Sequence, residues 1–495
     1  MSVLAILVLP LAAALLSGLP IKWRWAPGVT LISSLGILAS AVHLASRVAA
    51  GLPVDVPLKF GMLKWIAVDG LSALIVLLVA FVGTTAAIFS IGYMGREAIS
   101  PGKARLYYAN YNLFLFSMLA IPLMSEPTLV WIVVELTTLC SALLVSFDNT
   151  HAALEAAWKY VILSLMGAGM ALFGFLVLFA AMQAAGGGVY TWSGLVEAAP
   201  RMPPLLLETS FALIFIGLGT KSGLVPMHTW LPDAHSQAPS PVCALLSGVE
   251  TTAILYVVLR MFPIMRSVPG AHAETWALVL GLLSVGTAAF LLLQVRDYKR
   301  MFAFSTVEHM GIILTAVGLG ASATGYSAMQ QIVNHAVTKS FCFFAAGATL
   351  LIFETREIAA VRGLLRRSPI AGGALVLGGL GIAGAPPLAV FLSEFSIFRA
   401  GLMQRHFVAC CLLILFIAIA FFGIMLHVNR MVFGPPEEGS TPSPAKTAEA
   451  AHPSSLPLSC RLTLALAAIP VLVLGVYTPP PLHDLMVAAA KALGP

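Results

Sequence analysis

The sequence predicts an all-α polytopic membrane protein, and three observations carry that expectation. Of the 495 residues, 59% are hydrophobic and 10% charged, with a mean hydropathy of +0.95. A soluble globular domain carries about 25% charged residues. The apolar stretches run ~17–25 residues, the length at which a helix crosses a ~30 Å hydrocarbon core. Short alternating segments of the transmembrane-barrel type are absent, so the spans are helices.

Roughly 14 spans follow from the pattern, beginning near Ser2, Pro27, Gly70, Tyr111, Leu129, Glu155, Phe211, Ser240, Thr275, Phe302, Tyr326, Ile370, Val408 and Leu462. The run Met1 to Leu19 has no basic n-region and a long apolar stretch, so it reads as a retained first span. Two spans are interrupted. One contains Gly217-Leu-Gly-Thr-Lys221-Ser-Gly-Leu-Val-Pro226, the other Gly378-Gly-Leu-Gly-Ile-Ala-Gly-Ala-Pro386-Pro387. Proline removes a backbone donor and glycine loosens the turn, so each helix should break near its middle. Broken backbone at membrane depth is tolerated where it is buried or lines a cavity. A pair of breaks in matching positions of two halves points to inverted repeats around a central site. Gly434 to Leu458, rich in Pro, Ser and Glu, reads as a flexible linker before the last span, which ends near Tyr477.

The net charge of +6 reports topology. With an even number of spans both termini share a side. Loops on one side hold Lys22, Arg24, Arg96, Lys103, Arg105, Arg296, Lys299, Arg300, Arg356, Arg362, Arg366, Arg367, Arg430, Lys446 and Arg461; the other side holds fewer basic residues. The positive-inside rule makes the first set cytoplasmic and places both termini outside. Nothing in the charge pattern suggests nucleic acid. None of the six cysteines forms a C-x-x-C cluster, so no zinc or iron–sulfur site is expected in this chain. His228 and His235 stand seven apart with a proline between them in a predicted cytoplasmic loop, which fits a proton entry funnel better than a metal. No phosphate-binding glycine loop, nucleophile elbow or Ser-His-Asp arrangement appears, and no cofactor is expected.

The informative residues are eight ionisable side chains inside predicted spans: Glu135, Lys159, Lys221, Glu250, Glu308, His335, Lys339 and Glu394. An ion at the bilayer centre costs at least ~2.5–3.5 kcal/mol, so such residues mark an ion or substrate path. Acids alternate with bases along the chain, as proton movement requires. Glu135 has apolar neighbours on both sides, and Lys221 lies at the first break. Glu155 and Lys159 are four apart on one helix face, as are His335 and Lys339. Histidine can receive and pass a proton near neutral pH. Glu394 follows the second break as the acidic end of the path. Glu308 and His309 are adjacent and point about 100° apart, so one of the pair is expected to pack or gate.

Several segments together carry a family resemblance. Pro226-Met-His-Thr-Trp-Leu-Pro-Asp-Ala-His-Ser-Gln-Ala-Pro-Ser-Pro-Val-Cys-Ala-Leu-Leu-Ser-Gly-Val249 resembles the signature of the antiporter-like membrane subunits. That family includes subunits of respiratory complex I, Mrp-type sodium/proton antiporters and energy-converting hydrogenases. Arg296-Asp-Tyr-Lys-Arg-Met-Phe-Ala-Phe-Ser-Thr-Val-Glu-His-Met-Gly311 and Asn334-His-Ala-Val-Thr-Lys339 match too, and the likeness runs from about Tyr107 to Phe433. Within the family, these motifs are most similar to the hydrogenase-4 component F type and its counterparts in formate hydrogenlyase-type complexes.

The resemblance implies N-terminal helices 1–3 over 1–106, a first repeat of helices 4–8 over 107–267 and an inverted second repeat of helices 9–13 over 268–432. A linker and last helix then occupy 433–495. It also implies broken helices 7 and 12, a Glu135–Lys221 pair, a modulating Lys159, an axis through His335 and Lys339, and an exit at Glu394. Two features depart from the family. The usual helix-8 lysine falls at Thr252 with Glu250 added nearby, and the long lateral C-terminal helix of some relatives is not expected. The implied partners are other membrane subunits and a peripheral hydrogenase or redox arm with iron–sulfur proteins, in a bacterial or archaeal plasma membrane. The expected function is proton translocation driven by those partners. A sodium/proton antiporter subunit and a non-pumping scaffold are the alternatives.

Overall fold

The computed structural model describes residues 3–20, 23–52, 54, 59–60, 63–95, 99–266, 268, 270–435 and 455–494. Most of the predicted linker, and Lys22, Arg96 and Lys446 of the predicted cytoplasmic set, lie outside the described residues. Helices dominate. The first part of the chain gives α1 (Val3–Gly18), α2 (Ala26–Ala49), α3 (Gly70–Met94), α4 (Pro101–Ala120), α5 (Pro127–Val145), α6 (His151–Ala184) and the short α7 (Trp192–Ala198). The middle gives α8 (Pro204–Lys221), α9 (Trp230–Gln237), α10 (Ser240–Leu245), a π-helical turn over Leu246–Glu250, α11 (Thr251–Leu259) and α12 (Met261–Met265). Then come α13 (Ala273–Leu292), α14 (Tyr298–Gly318), α15 (Ala321–Phe353), α16 (Leu364–Arg367), α17 (Pro369–Ile382), α18 (Ala389–Met403) and α19 (Phe407–Phe433), followed by helices Leu458–Val473 and Pro480–Lys491. A two-residue antiparallel pairing, Lys59–Phe60 with Leu63–Lys64, interrupts this pattern.

Ten helices among the described residues are long and apolar enough to cross a membrane. They sort by burial. The most apolar window of Ser240–Met265 is wholly enclosed by protein and that of α14 nearly so, whereas α19 buries only 33% of its own. The exposed faces of the outer helices carry Leu, Ile, Phe and Val, as on Phe173 and Leu176 of α6 and Ile414 and Leu415 of α19. Such faces belong in lipid.

Most spans start within a few residues of the predicted points. The largest difference is α4, which begins at Pro101 rather than near Tyr111. Ser100 caps it and Pro101 opens its first turn, while the Lys103 ammonium sits 4.4 Å from the centre of the Phe147 ring. Lys103 and Arg105 are therefore helical, and the Lys103 stem runs over protein.

Both expected breaks are present. After α8 the chain turns through Gly223 at φ +80°, and after α17 through Gly384 at φ +75°, a region that favours glycine. A broken helix leaves carbonyls that lipid cannot satisfy. Here ring N–H groups from the interior satisfy them. Trp230 Nε1 donates to the Thr220 carbonyl at 2.9 Å, and His309 Nε2 to the Ile382 carbonyl at 2.9 Å. In the π-helical turn, the Ser247 carbonyl receives His335 Nε2 at 3.1 Å. Near the first break α6 and α8 touch backbone to backbone: a Cβ on Gly217 would lie 2.4 Å from the Gly167 carbonyl oxygen.

One ion pair ties the end of the central segment to the start of α3. Asp69 caps α3 and exchanges hydrogen bonds with Ser72. Its carboxylate takes the Arg260 guanidinium in a two-pronged contact, with Nη2 at 2.7 Å from Oδ1. Burial pushes the Asp69 carboxyl up, but the Arg260 charge and the hydrogen bonds from Arg260 and Ser72 outweigh it and hold it below its usual value. Because the folded value is the lower one, this stabilisation is complete at neutral pH and is lost as pH falls through that value. Asp69→Asn is therefore expected to lower the melting temperature at pH 7 and to flatten its decline below about pH 4, read by thermal unfolding in detergent. An acid limb unchanged in the variant would assign that decline to other groups.

Candidate functional site

Seven of the eight predicted ionisable residues gather in two interior clusters joined through the π-helical turn. In the first, Lys221 ends α8 and is 1% exposed. Its amine donates to the Val134 carbonyl of α5 at 2.8 Å and to the Thr138 hydroxyl, and stands 3.8 Å from Glu250 Oε1. The same carboxylate oxygen accepts from Tyr160 of α6 at 3.1 Å, and Ser141 of α5 shares a 2.7 Å hydrogen bond with that phenol.

Among the described residues the ion pair of Lys221 is with Glu250, where the family resemblance implies Glu135. Glu135 stays within electrostatic reach of Lys221, but its Oε1 is buried without a hydrogen bond. The cause is local: a π-helical turn holds an extra residue, and Glu250 closes that turn facing α5, α6 and α8. Lys221 therefore sits between two acids, one paired and one not.

The second cluster lies on α14, α15 and α18. Lys339 is fully buried and donates to the Phe302 carbonyl at 3.2 Å and to the Ser305 hydroxyl. Glu308, 3% exposed, lies within electrostatic reach of Lys339 and of Glu394, and its Oε2 is buried without a partner. A carbonyl only accepts, so His335, bonded to the Ser247 carbonyl through Nε2, carries its proton there and leaves Nδ1 bare and unpartnered. His309 is saturated. Nε2 donates to Ile382, while Nδ1 accepts from the Gln331 amide at 2.9 Å. Its ring centre stands 5.3 Å from that of His335. Gln331 accepts from Ser393 at 2.5 Å, the residue before Glu394, whose carboxylate rests against Gly384 in the second break.

Chemically, the two clusters set acids beside buried bases, with hydroxyl and amide side chains packed among them. A family model described as NADH:quinone oxidoreductase/Mrp antiporter, TM, matches residues 125–421, and one for the N-terminus of complex I chain 5 matches residues 62–105. The chain is 35% identical to a hydrogenase-4 component F homolog of Methylacidiphilum infernorum over 97% of each. The chain belongs to the NADH:quinone oxidoreductase/Mrp antiporter family. Two solved structures share its fold. The archaeal membrane-bound sulfane sulfur reductase complex has a chain matching at TM-score 0.86 and 22% identity, over 99% of this chain and 98% of that one. The Mrp complex of Dietzia sp. DQ12-45-1b has one at TM-score 0.85 and 19% identity, over 99% and 96%.

Within this antiporter-family chain, Lys159 is the predicted residue that stands apart. It is half-exposed, 2.7 Å from Glu155 and 3.2 Å from Asp233, and joins neither buried cluster by direct contact. Asp233 of α9 also pairs with Arg300 of α14 at 2.6 Å, so one carboxylate links three helices. Thr252, where the resemblance implies a lysine, is buried and its hydroxyl turns back to the Gly248 carbonyl at 3.4 Å.

Three residues read as loop groups are interior, His228 among them at 8% exposed. His235 is fully buried, and Lys299, counted among the cytoplasmic loop charges, is 1% exposed. Asp297 caps α14 by accepting from the Lys299 and Arg300 backbone amides, which puts Lys299 in the first helical turn with its amine on the Ala238 carbonyl between α9 and α10. Flanked by Arg296 and Arg300, it looked like part of a solvated run. The missed signal was Asp297 as a helix start. Tyr160, Gln331 and Ser393 also enter the site unpredicted, because a neutral polar residue in a span carries no charge signal.

Proposed function

We propose that this chain is the proton-translocating subunit of a hydrogenase-4/complex I-like membrane complex. Redox energy released in partner subunits shifts the Lys221–Glu250–Glu135 equilibrium, and protons then move stepwise through His335, Lys339 and Glu308 to Glu394. The chain itself does no redox chemistry and holds no cofactor or metal; iron–sulfur proteins in a peripheral arm would supply the electrons. Helices 4–8 (107–267) and 9–13 (268–432) act as inverted repeats within a 14-helix fold, each contributing one break, with buried Lys221 in the first and buried Lys299 and Lys339 in the second. The plasma membrane is the setting, with both termini outside.

The supporting observation is the coupling at the π-helical turn. Glu250 at its end pairs with Lys221 of the first half, while the Ser247 carbonyl at its start holds His335 of the second. A helix register change there would alter both contacts together. Glu250 takes over proton storage that Thr252 cannot provide.

The test is proton uptake by the whole complex in sealed vesicles, powered by its own electron donor. Lys339→Met is expected to cut the rate at least ~10-fold, equivalent to a barrier raised by ~1.4 kcal/mol. Full uptake by an assembled Lys339→Met complex would leave only the scaffold reading. Sodium-dependent proton flux without an electron donor would favour the antiporter reading, to which the match with a chain of the Mrp complex lends weight.

A further inference from the structure

We propose that Trp230 is a positioning residue for the Lys221–Glu250 pair, reaching the lysine through the backbone of the broken helix and the glutamate through Tyr160. This rests on the proton path proposed above and names the residue that sets the geometry of its first step. Trp230 opens α9, the helix that follows the first break, and is fully buried.

Each side of the indole serves one partner of the pair. Nε1 donates to the carbonyl of Thr220, the residue before Lys221, at 2.9 Å. That carbonyl already accepts the Gly223 backbone amide at 3.2 Å. The indole bond is therefore not needed to satisfy it; what the bond adds is a fixed place for the last turn of α8. The ring of Trp230 packs on Tyr160 of α6, with centres 4.6 Å apart and planes tilted by 40°. Aromatic pairs favour particular orientations as well as burying area, so this contact fixes the phenol. The Tyr160 hydroxyl in turn donates to Glu250 Oε1 at 3.1 Å.

The pair depends on such placement. Its charged ends are 3.8 Å apart, beyond the ~2.7–3.2 Å of a hydrogen bond. The Lys221 amine bonds instead to the Val134 carbonyl and the Thr138 hydroxyl of α5. The separation is thus set by whatever holds each group, and Coulomb attraction falls as that separation grows. Trp230 touches a holder on both sides.

Its own position is fixed from the far end of α9. Asp233 pairs with Arg300 of α14 at 2.6 Å and with Lys159 of α6 at 3.2 Å, and the Ser236 hydroxyl donates to Asp297 Oδ2 at 2.6 Å. A shift of α9 against α14 would carry the indole with it and change both of its contacts together.

The test is a double-variant cycle on proton uptake by the intact complex in vesicles, with rates normalised to assembled complex by recovery of its subunits. Trp230→Phe keeps a ring against Tyr160 but has no donor for Thr220, and is expected to cut uptake ~5-fold, against ~10-fold for Lys221→Met. Independent structural losses would multiply to ~50-fold in the double variant. A positioning role predicts a double variant no worse than Lys221→Met, because the pair that Trp230 serves is already gone. Multiplied losses would overturn the proposal and leave Trp230 an ordinary core aromatic, as would full uptake with Trp230→Phe. If Lys221→Met is impaired and Trp230→Phe is not, only the positioning role falls; if Lys221→Met itself retains full uptake, the proposed path falls. Should Trp230→Phe fail to assemble, alone or in the double variant, Tyr160→Phe decides. It keeps the ring, and Ser141 keeps its bond to the Thr137 carbonyl at 2.6 Å, so the change is confined to the hydroxyl on Glu250. A loss of ~5-fold is expected, again masked by Lys221→Met. Full uptake with Tyr160→Phe, or losses that multiply, would overturn the link from indole to glutamate.

Discussion

Lys221→Met and Glu250→Leu are each expected to destabilise the protein by about 3–5 kcal/mol, and the double variant to recover most of that loss. Proton uptake is expected to fall at least ~10-fold in all three. The argument starts from burial: both side chains are 1% exposed, and their charged ends are 3.8 Å apart. Removing one leaves the other as an uncompensated charge, or forces it neutral among groups arranged for an ion. Removing both restores a matched apolar pair, which proteins tolerate well. Transport has no such compensation, because the proposed mechanism stores protons on this pair.

Glu135 makes the cycle more informative. Its free oxygen lies near Lys221, so in Glu250→Leu it can swing in as a substitute partner. The loss in that single variant should then be smaller than in Lys221→Met, and Glu135→Gln added to Glu250→Leu should remove the difference. Melting temperatures in detergent and uptake in vesicles measure the two sides separately. A double variant as unstable as the worse single would show that the pair is not an isolated coupled unit. Uptake that recovered with stability would show that the pair only holds helices together.

The sequence made the membrane-spanning plan legible because hydrocarbon leaves few solutions. A chain that must hide every backbone dipole announces its helices through length and composition. The breaks were legible for the same reason, since Gly223 and Gly384 stand beside prolines in otherwise apolar runs. Which acid meets Lys221 was not legible. Glu135 and Glu250 are equally isolated charges in the sequence, and the choice is made by a π-helical turn at Ser247-Gly-Val that no residue type specifies. Lys159 lies within a span and yet is not enclosed by this chain. The α6 face it occupies is open, and the chain meets its charge with Glu155 and Asp233 instead. Lys299 shows the opposite case, a charge read as solvated because its neighbours are. In both cases spacing gave depth along the helix but not the direction the side chain takes.

Gly384→Ala is expected to lower proton uptake ~10-fold, while Gly223→Ala, at the corresponding break, leaves it within about twofold. The two glycines have nearly the same conformation, φ +75° and +80°, so alanine should cost each a similar ~1–2 kcal/mol of stability. What differs is the neighbour. At Gly223 a Cβ would meet the Leu231 Cδ1 methyl at 2.4 Å, an apolar tip that can turn aside. At Gly384 it would meet Glu394 Oε2 at 2.3 Å, and the carboxylate must leave its place in the break. Glu394 is 4% exposed, with Ser393 and Gln331 leading to it, so moving it separates the proposed exit from the relay. Shortening the acid offers the check. Glu394→Asp added to Gly384→Ala draws the carboxylate back by one methylene and should recover part of the lost uptake, although Glu394→Asp alone lowers it. Equal uptake losses at the two breaks would mean that backbone shape, and not the position of the acid, controls transport there.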